Sequence, residues 1–149
     1  MSRCSPAFQV LILLSLGACQ RKSTGQATTF EIHDAWVRAI PDSGATTAGY
    51  MRLVNGTKHR IVVSRFASDG AHAVELHETT ISRSGETRMA MVDSVAIPPG
   101  RTLSMQPGGY HLMVIGTKHP FVAGTNIRIA MHLSDGSIVS TSTRVEYQR

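Results

Sequence analysis

Asn126-Ile127-Arg128-Ile129-Ala130-Met131-His132-Leu133, then Ser134-Asp135-Gly136, then Ser137-Ile138-Val139-Ser140-Thr141-Ser142-Thr143-Arg144-Val145, is the stretch that decides the fold. Two strand-like runs flank an Asp-Gly pair, the strongest short-range signal for an antiparallel hairpin. Elsewhere strand signals recur every ten or so residues: Phe30 to Arg38, Gly49 to Asn55, His59 to Ala67, Val74 to Ile81, Arg88 to Val95, Thr102 to Met105 and His111 to Gly116. Between them lie Pro41-Asp42-Ser43-Gly44, Asn55-Gly56, Ser84-Gly85, Pro98-Pro99-Gly100 and Pro107-Gly108-Gly109, residues that tolerate turn geometry. No long segment carries a helical period, and no repeat or low-complexity block is visible. The expectation is one all-β domain, a sandwich or small barrel.

The N-terminus reads as a secretory signal. Arg3 supplies a positive charge, Val10 to Leu16 is an apolar run too short to span a bilayer, and Leu16-Gly17-Ala18-Cys19 has the form of a lipobox. Cleavage before Cys19 and acylation of its sulfur would tether a folded domain by lipid. An ordinary signal peptide cut nearby is the alternative, and either route takes the chain out of the cytoplasm. The organisation is therefore a signal peptide over 1–18, a lipidated Cys19 with a polar spacer over 19–28, and a folded domain over 29–149. Gln20, rather than Asp, follows Cys19, so the usual inner-membrane retention cue is missing and the choice of membrane stays open.

Cys4 and Cys19 are the only cysteines, and both fall in that leader and anchor. The domain is thus expected to contain no thiol, which excludes a disulfide, a CxxC redox motif, a Cys-based zinc site and a blue-copper centre. The formal charge is +5, but the Lys and Arg residues are scattered without aromatic interleaving, so nucleic acid is not the expected partner.

Soft ligands take the place of thiolates. On a strand, residues two apart share a face, so His111 and Met113 form a two-toothed clip while Leu112 turns into the core. Upstream, a hairpin around Ser84-Gly85 would set His77 opposite Met89 or Met91; with a loop over Ser82 to Glu86, His77 faces Met91 and Met89 lies diagonal, and register alone does not choose between them. Two imidazoles and two thioethers make a neutral, soft set that suits Cu(I) and disfavours Mg²⁺ and Ca²⁺. Glu78 falls on the opposite strand face from His77, and His33, His59, His72, His119 and His132 lack a same-face Met at ligand spacing. Met51, Met105 and Met131 read as core filler, and Trp36, Arg38 and Tyr50 as structural residues.

These motifs resemble the PCuAC family of periplasmic copper chaperones. The family pattern is His, ten residues, Met, twenty-one residues, His-x-Met; here twenty-one residues lie between Met89 and His111, and eleven between His77 and Met89, one extra residue at the hairpin tip. Ala35-Trp36-Val37-Arg38, Ala48-Gly49-Tyr50-Met51, Val74-Glu75-Leu76-His77-Glu78 and Pro107-Gly108-Gly109-Tyr110-His111-Leu112-Met113 match the family in kind, over nearly the whole domain. The resemblance implies a cupredoxin-like β-sandwich or barrel that binds one Cu(I) through His77, Met89, His111 and Met113, with Met91 as an auxiliary neighbour. It also implies delivery of the ion to the CuA centre of cytochrome c oxidase subunit II, on the periplasmic side of a bacterial membrane. The His- and Met-rich tail of some family members, which adds a Cu(II) site, is missing from Thr143 to Arg149. A copper-buffering or resistance lipoprotein that sequesters the ion would use the same ligands. An enzyme is disfavoured, because no HExxH or Ser-His-Asp grouping is visible.

Overall fold

In the computed structural model, which describes residues 29–148, ten strands and no helix are found among the described residues. They are β1 Phe30–Arg38, β2 Thr47–Asn55, β3 Ile61–Ser68, β4 Ala71–Ile81, β5 Thr87–Met91, β6 Val95–Ile97, β7 Thr102–Ser104, β8 Tyr110–Thr117, β9 Asn126–Leu133 and β10 Ile138–Glu146. The signal peptide, Cys19 and the spacer fall outside the described residues.

Hydrogen-bonded neighbours run β4-β8-β2-β1-β10-β9-β3, and a further β3–β4 pairing at Phe66 and Val74 returns to the start. Seven strands therefore close into a barrel. This decides between the sandwich and barrel alternatives in favour of closure, which removes most of the exposed sheet edge. β5, β6 and β7 pair outside the ring, with β4, β3 and β2 respectively.

Burial alternates along β9, where Ile127, Ile129, Met131 and Leu133 are buried. They join Val37, Met51, Leu53, Val63, Leu112, Val114 and Val145 in one core. Met51, Met105 and Met131 are all buried, as core methionines should be. Gly49 sits where β2 passes between β1 and β8; a Cβ there would lie 3.2 Å from Val37 Cγ2 and 3.5 Å from Leu112 Cβ, so the side-chain-free residue lets the strands pack closely.

One expected strand is two. Arg88 to Val95 divides into β5 and β6 because the chain changes neighbours, β5 pairing with β4 and β6 with β3. Val92 still donates its backbone N–H to Leu76 O at 2.8 Å, after which the chain leaves β4.

Asn55 ends β2 as a fully buried amide. Its Nδ2 donates to His59 O and Ile97 O, both at 2.8 Å, and its Oδ1 accepts from Thr57 N at 3.0 Å and Thr57 Oγ1 at 2.7 Å. One side chain thus ties β2 to the following turn and to the end of β6. Asn55→Ala, which removes all four of these hydrogen bonds, the buried one to Ile97 O among them, should lower unfolding free energy by about 2–4 kcal/mol; a denaturant midpoint unchanged from the parent would contradict this role.

At the β9–β10 turn, Asp135 Oδ1 accepts from Ser137 N at 2.9 Å and Ser137 Oγ at 2.6 Å, and these bonds hold its carboxyl below the ordinary value. A depressed folded-state value means that the contribution to stability is present above the unfolded carboxylate range and disappears as pH falls through the folded value. Asp135→Ala should therefore be less stable than the parent at neutral pH, with the gap closing in acid. Denaturation midpoints at both pH values test this, and a gap independent of pH would contradict it.

Candidate metal centre

The site is built on three adjacent strands, β5-β4-β8. β8 is registered on β4 so that His111 faces His77 and Met113 faces Glu75, while β5 is registered on β4 so that Met91 faces His77 and Met89 faces Thr79. The loop between β4 and β5 covers Ser82 to Glu86, and the expected pairing of His77 with Met91 is the one observed.

His111 is buried, on the strand position before fully buried Leu112. Its Nδ1 lies 3.0 Å from Gly109 O. A carbonyl oxygen can only accept, so Nδ1 carries the hydrogen, and in the neutral ring Nε2 presents a lone pair. That Nε2 lies 3.2 Å from Met89 Sδ. Two electron-pair donors thus face each other with no hydrogen between them unless the ring becomes imidazolium. With metal bonds of about 2.0 Å to nitrogen and 2.3 Å to sulfur as the scale, donors so spaced can share one ion. The ring of Tyr50, stacked at 4.7 Å on Trp36, lies 6.5 Å from that of His111 and backs the site with aromatic bulk.

His77 follows the opposite arrangement. Its Nε2 lies 3.0 Å from Glu75 Oε2, and its Nδ1 is buried without a hydrogen-bond partner. The two imidazole rings are 6.0 Å apart.

A cavity of about 350 Å³ opens beside these groups, lined by Met89, His111 and Met113 together with Arg38 to Ile40 and Thr46 to Ala48. Three of the four expected ligands share this lining, and His77 lies directly across from His111 on the neighbouring strand. Met91 is not part of it. Although Met89 and Met91 are both more than half exposed, Met91 lines a different hollow, with Ser64 to Phe66, Val74 to Leu76, Val92 and Asp93.

Among the described residues, no three His, Cys, Asp or Glu side chains gather into a group able to hold a metal. The cluster's soft character therefore rests on thioethers. Glu78 lies on the other strand face and engages Tyr110; burial, then the charge of Glu78, pushes the Tyr110 hydroxyl above its ordinary value. Of the remaining histidines, His33 bonds exposed Glu31, and His119 packs its ring 5.5 Å from that of Phe121.

Two neighbours of the site were not foreseen as such. Arg38, read as structural, is exposed and lines the cavity. Glu75 bonds His77, and the two-residue strand period that joins His111 to Met113 could have located it.

Comparison with known proteins agrees with this architecture. Residues 30–145 match the family described as "Putative lipoprotein LpqE-like". "Putative lipoprotein Lxx21020" of Leifsonia xyli subsp. xyli is 34% identical over 112 residues, a match spanning 75% of this chain and 66% of that protein, just under two thirds of its length. Among solved structures, CuI-DR1885 from Deinococcus radiodurans is 30% identical with a TM-score of 0.65, over 87% of this chain and 86% of that one. The copper-bound PCuAC domain from PmoF2 is 20% identical with a TM-score of 0.64, over 78% and 92%, a likeness of fold. The resemblance to PCuAC proteins thus holds for the barrel, while the sequence family is a lipoprotein one: the chain belongs to the LpqE-like family.

Proposed function

We propose that this chain is a lipid-anchored, extracytoplasmic copper carrier that binds one Cu(I) through His77, Met89, His111 and Met113. The observation that carries the reading is the approach of His111 Nε2 to Met89 Sδ at 3.2 Å, with Gly109 O occupying the other ring nitrogen. A soft monovalent cation satisfies both lone pairs, whereas a hard cation gains little from a thioether. The 30% identity to a protein solved as CuI-DR1885 supports the same ion. Acylated Cys19 would hold the barrel at the membrane, consistent with the lipoprotein names of its relatives.

Delivery is favoured over storage by exposure. Met89 is 55% exposed on an edge strand, so an incoming ligand can displace a weak thioether first and the imidazoles afterwards. The acceptor we propose is a copper-accepting extracytoplasmic protein such as the CuA-bearing subunit II of cytochrome c oxidase.

Competition titration of the apo-protein should give one Cu(I) bound far more tightly than Zn²⁺; comparable affinities would reject the soft-ligand set. Met89→Leu should weaken Cu(I) binding by about tenfold or more, roughly 1.4 kcal/mol, and Met91→Leu by much less. The reverse order would move the ligand role to Met91. Mixing the loaded protein with an apo oxidase subunit II separates the two fates of the ion, since a sequestering protein retains its copper.

A further inference from the structure

The two histidines are held by opposite ring nitrogens. Gly109 O takes the Nδ1 hydrogen of His111 at 3.0 Å, and Glu75 Oε2, an acceptor when ionised, takes the Nε2 hydrogen of His77 at 3.0 Å. Each neutral ring then has one lone pair left. For His111 it is Nε2, which meets Met89 Sδ; for His77 it is Nδ1, which is buried and without a partner. A buried, unpaired nitrogen in a ring only 13% exposed is unfavourable unless something occupies it.

We infer that Glu75 is a positioning residue that fixes His77 as its Nε2–H tautomer, so that His77 offers copper Nδ1 while His111 offers Nε2. The inference rests on the copper-carrier reading above and adds to it the atoms used and the residue that selects them. Register supports the role: Glu75 lies two residues before His77 on the same strand face and directly across from Met113, so its carboxylate reaches His77 from within the site's own row. A carboxylate on the far nitrogen also makes the imidazole a better donor, as outer partners of metal-bound histidines do. Were Glu75 instead a copper ligand, the site would gain a hard, charged donor that favours Cu(II).

Long-range ¹H–¹⁵N correlation spectra of the ¹⁵N-labelled full chain, taken above the imidazole range of about 6.5, read the tautomers directly. The apo-protein should show Nε2–H at His77 and Nδ1–H at His111, and one equivalent of Cu(I) should shift Nδ1 of His77 and Nε2 of His111. Glu75→Ala should mix the His77 tautomers and weaken Cu(I) binding by about 10- to 100-fold. Glu75→Gln, whose amide oxygen still accepts, should restore the tautomer and most of the affinity. Copper shifting Nε2 of His77, an Nδ1–H tautomer in the wild type, or Glu75→Ala with wild-type spectra and affinity would each overturn the assignment while leaving the carrier reading intact. The expected tautomers without any copper-dependent shift would instead overturn the carrier reading and the ligand assignment with it.

Discussion

Strand β4 is bound along both edges, and the candidate site depends on that. One edge carries β8 from Ala71 to Glu78; the other carries β3 at Val74 and then β5 from His77 to Ile81. Because both flanking strands take their register from β4, a slip of one residue in either would turn His111 or Met89 to the opposite face. The barrel fixes the β4–β8 half, where Leu76, Leu112 and Val114 are buried. The β4–β5 half is held by its ladder and little else, since all five residues of β5 are exposed. A hairpin extending beyond a core is marginal by itself and opens more readily than the strands behind it. In the proposed carrier, one ligand on a loosely held edge beside one on a rigid wall would suit an ion that must both bind and leave.

The chemistry of the donors complements that arrangement. Thioethers bring no charge, so in the proposed site the ion's charge would not be neutralised in a partly buried place, a situation more tolerable at +1 than at +2. The carboxylate of Glu75 is engaged by a ring nitrogen of His77, and Arg38 lines the cavity.

Much of this was legible in the sequence, for local reasons. Asp135-Gly136 identified its hairpin, and Gly136 adopts the positive φ of 84° that such a turn requires. The loop at Ser82 to Glu86 set the partner of His77, and the two-residue period paired His111 with Met113. Closure into a barrel was not legible, because it depends on the pairing of Phe66 with Val74, which no local pattern announces. The break after Met91 was hidden for a related reason: residues that all favour strand exchange one neighbour for another. Met89 and Met91 were indistinguishable by register, since both project to one face; only the approach of His111 to one, and of β3 to the other, separates them.

The most direct test of the central claim is the copper K-edge X-ray absorption spectrum of the full chain loaded with one equivalent of Cu(I). The proposed site predicts two imidazole nitrogens and two sulfurs around the copper, with one sulfur fewer when Met89 is replaced by Leu. A shell of nitrogen and oxygen alone, without sulfur, would contradict it.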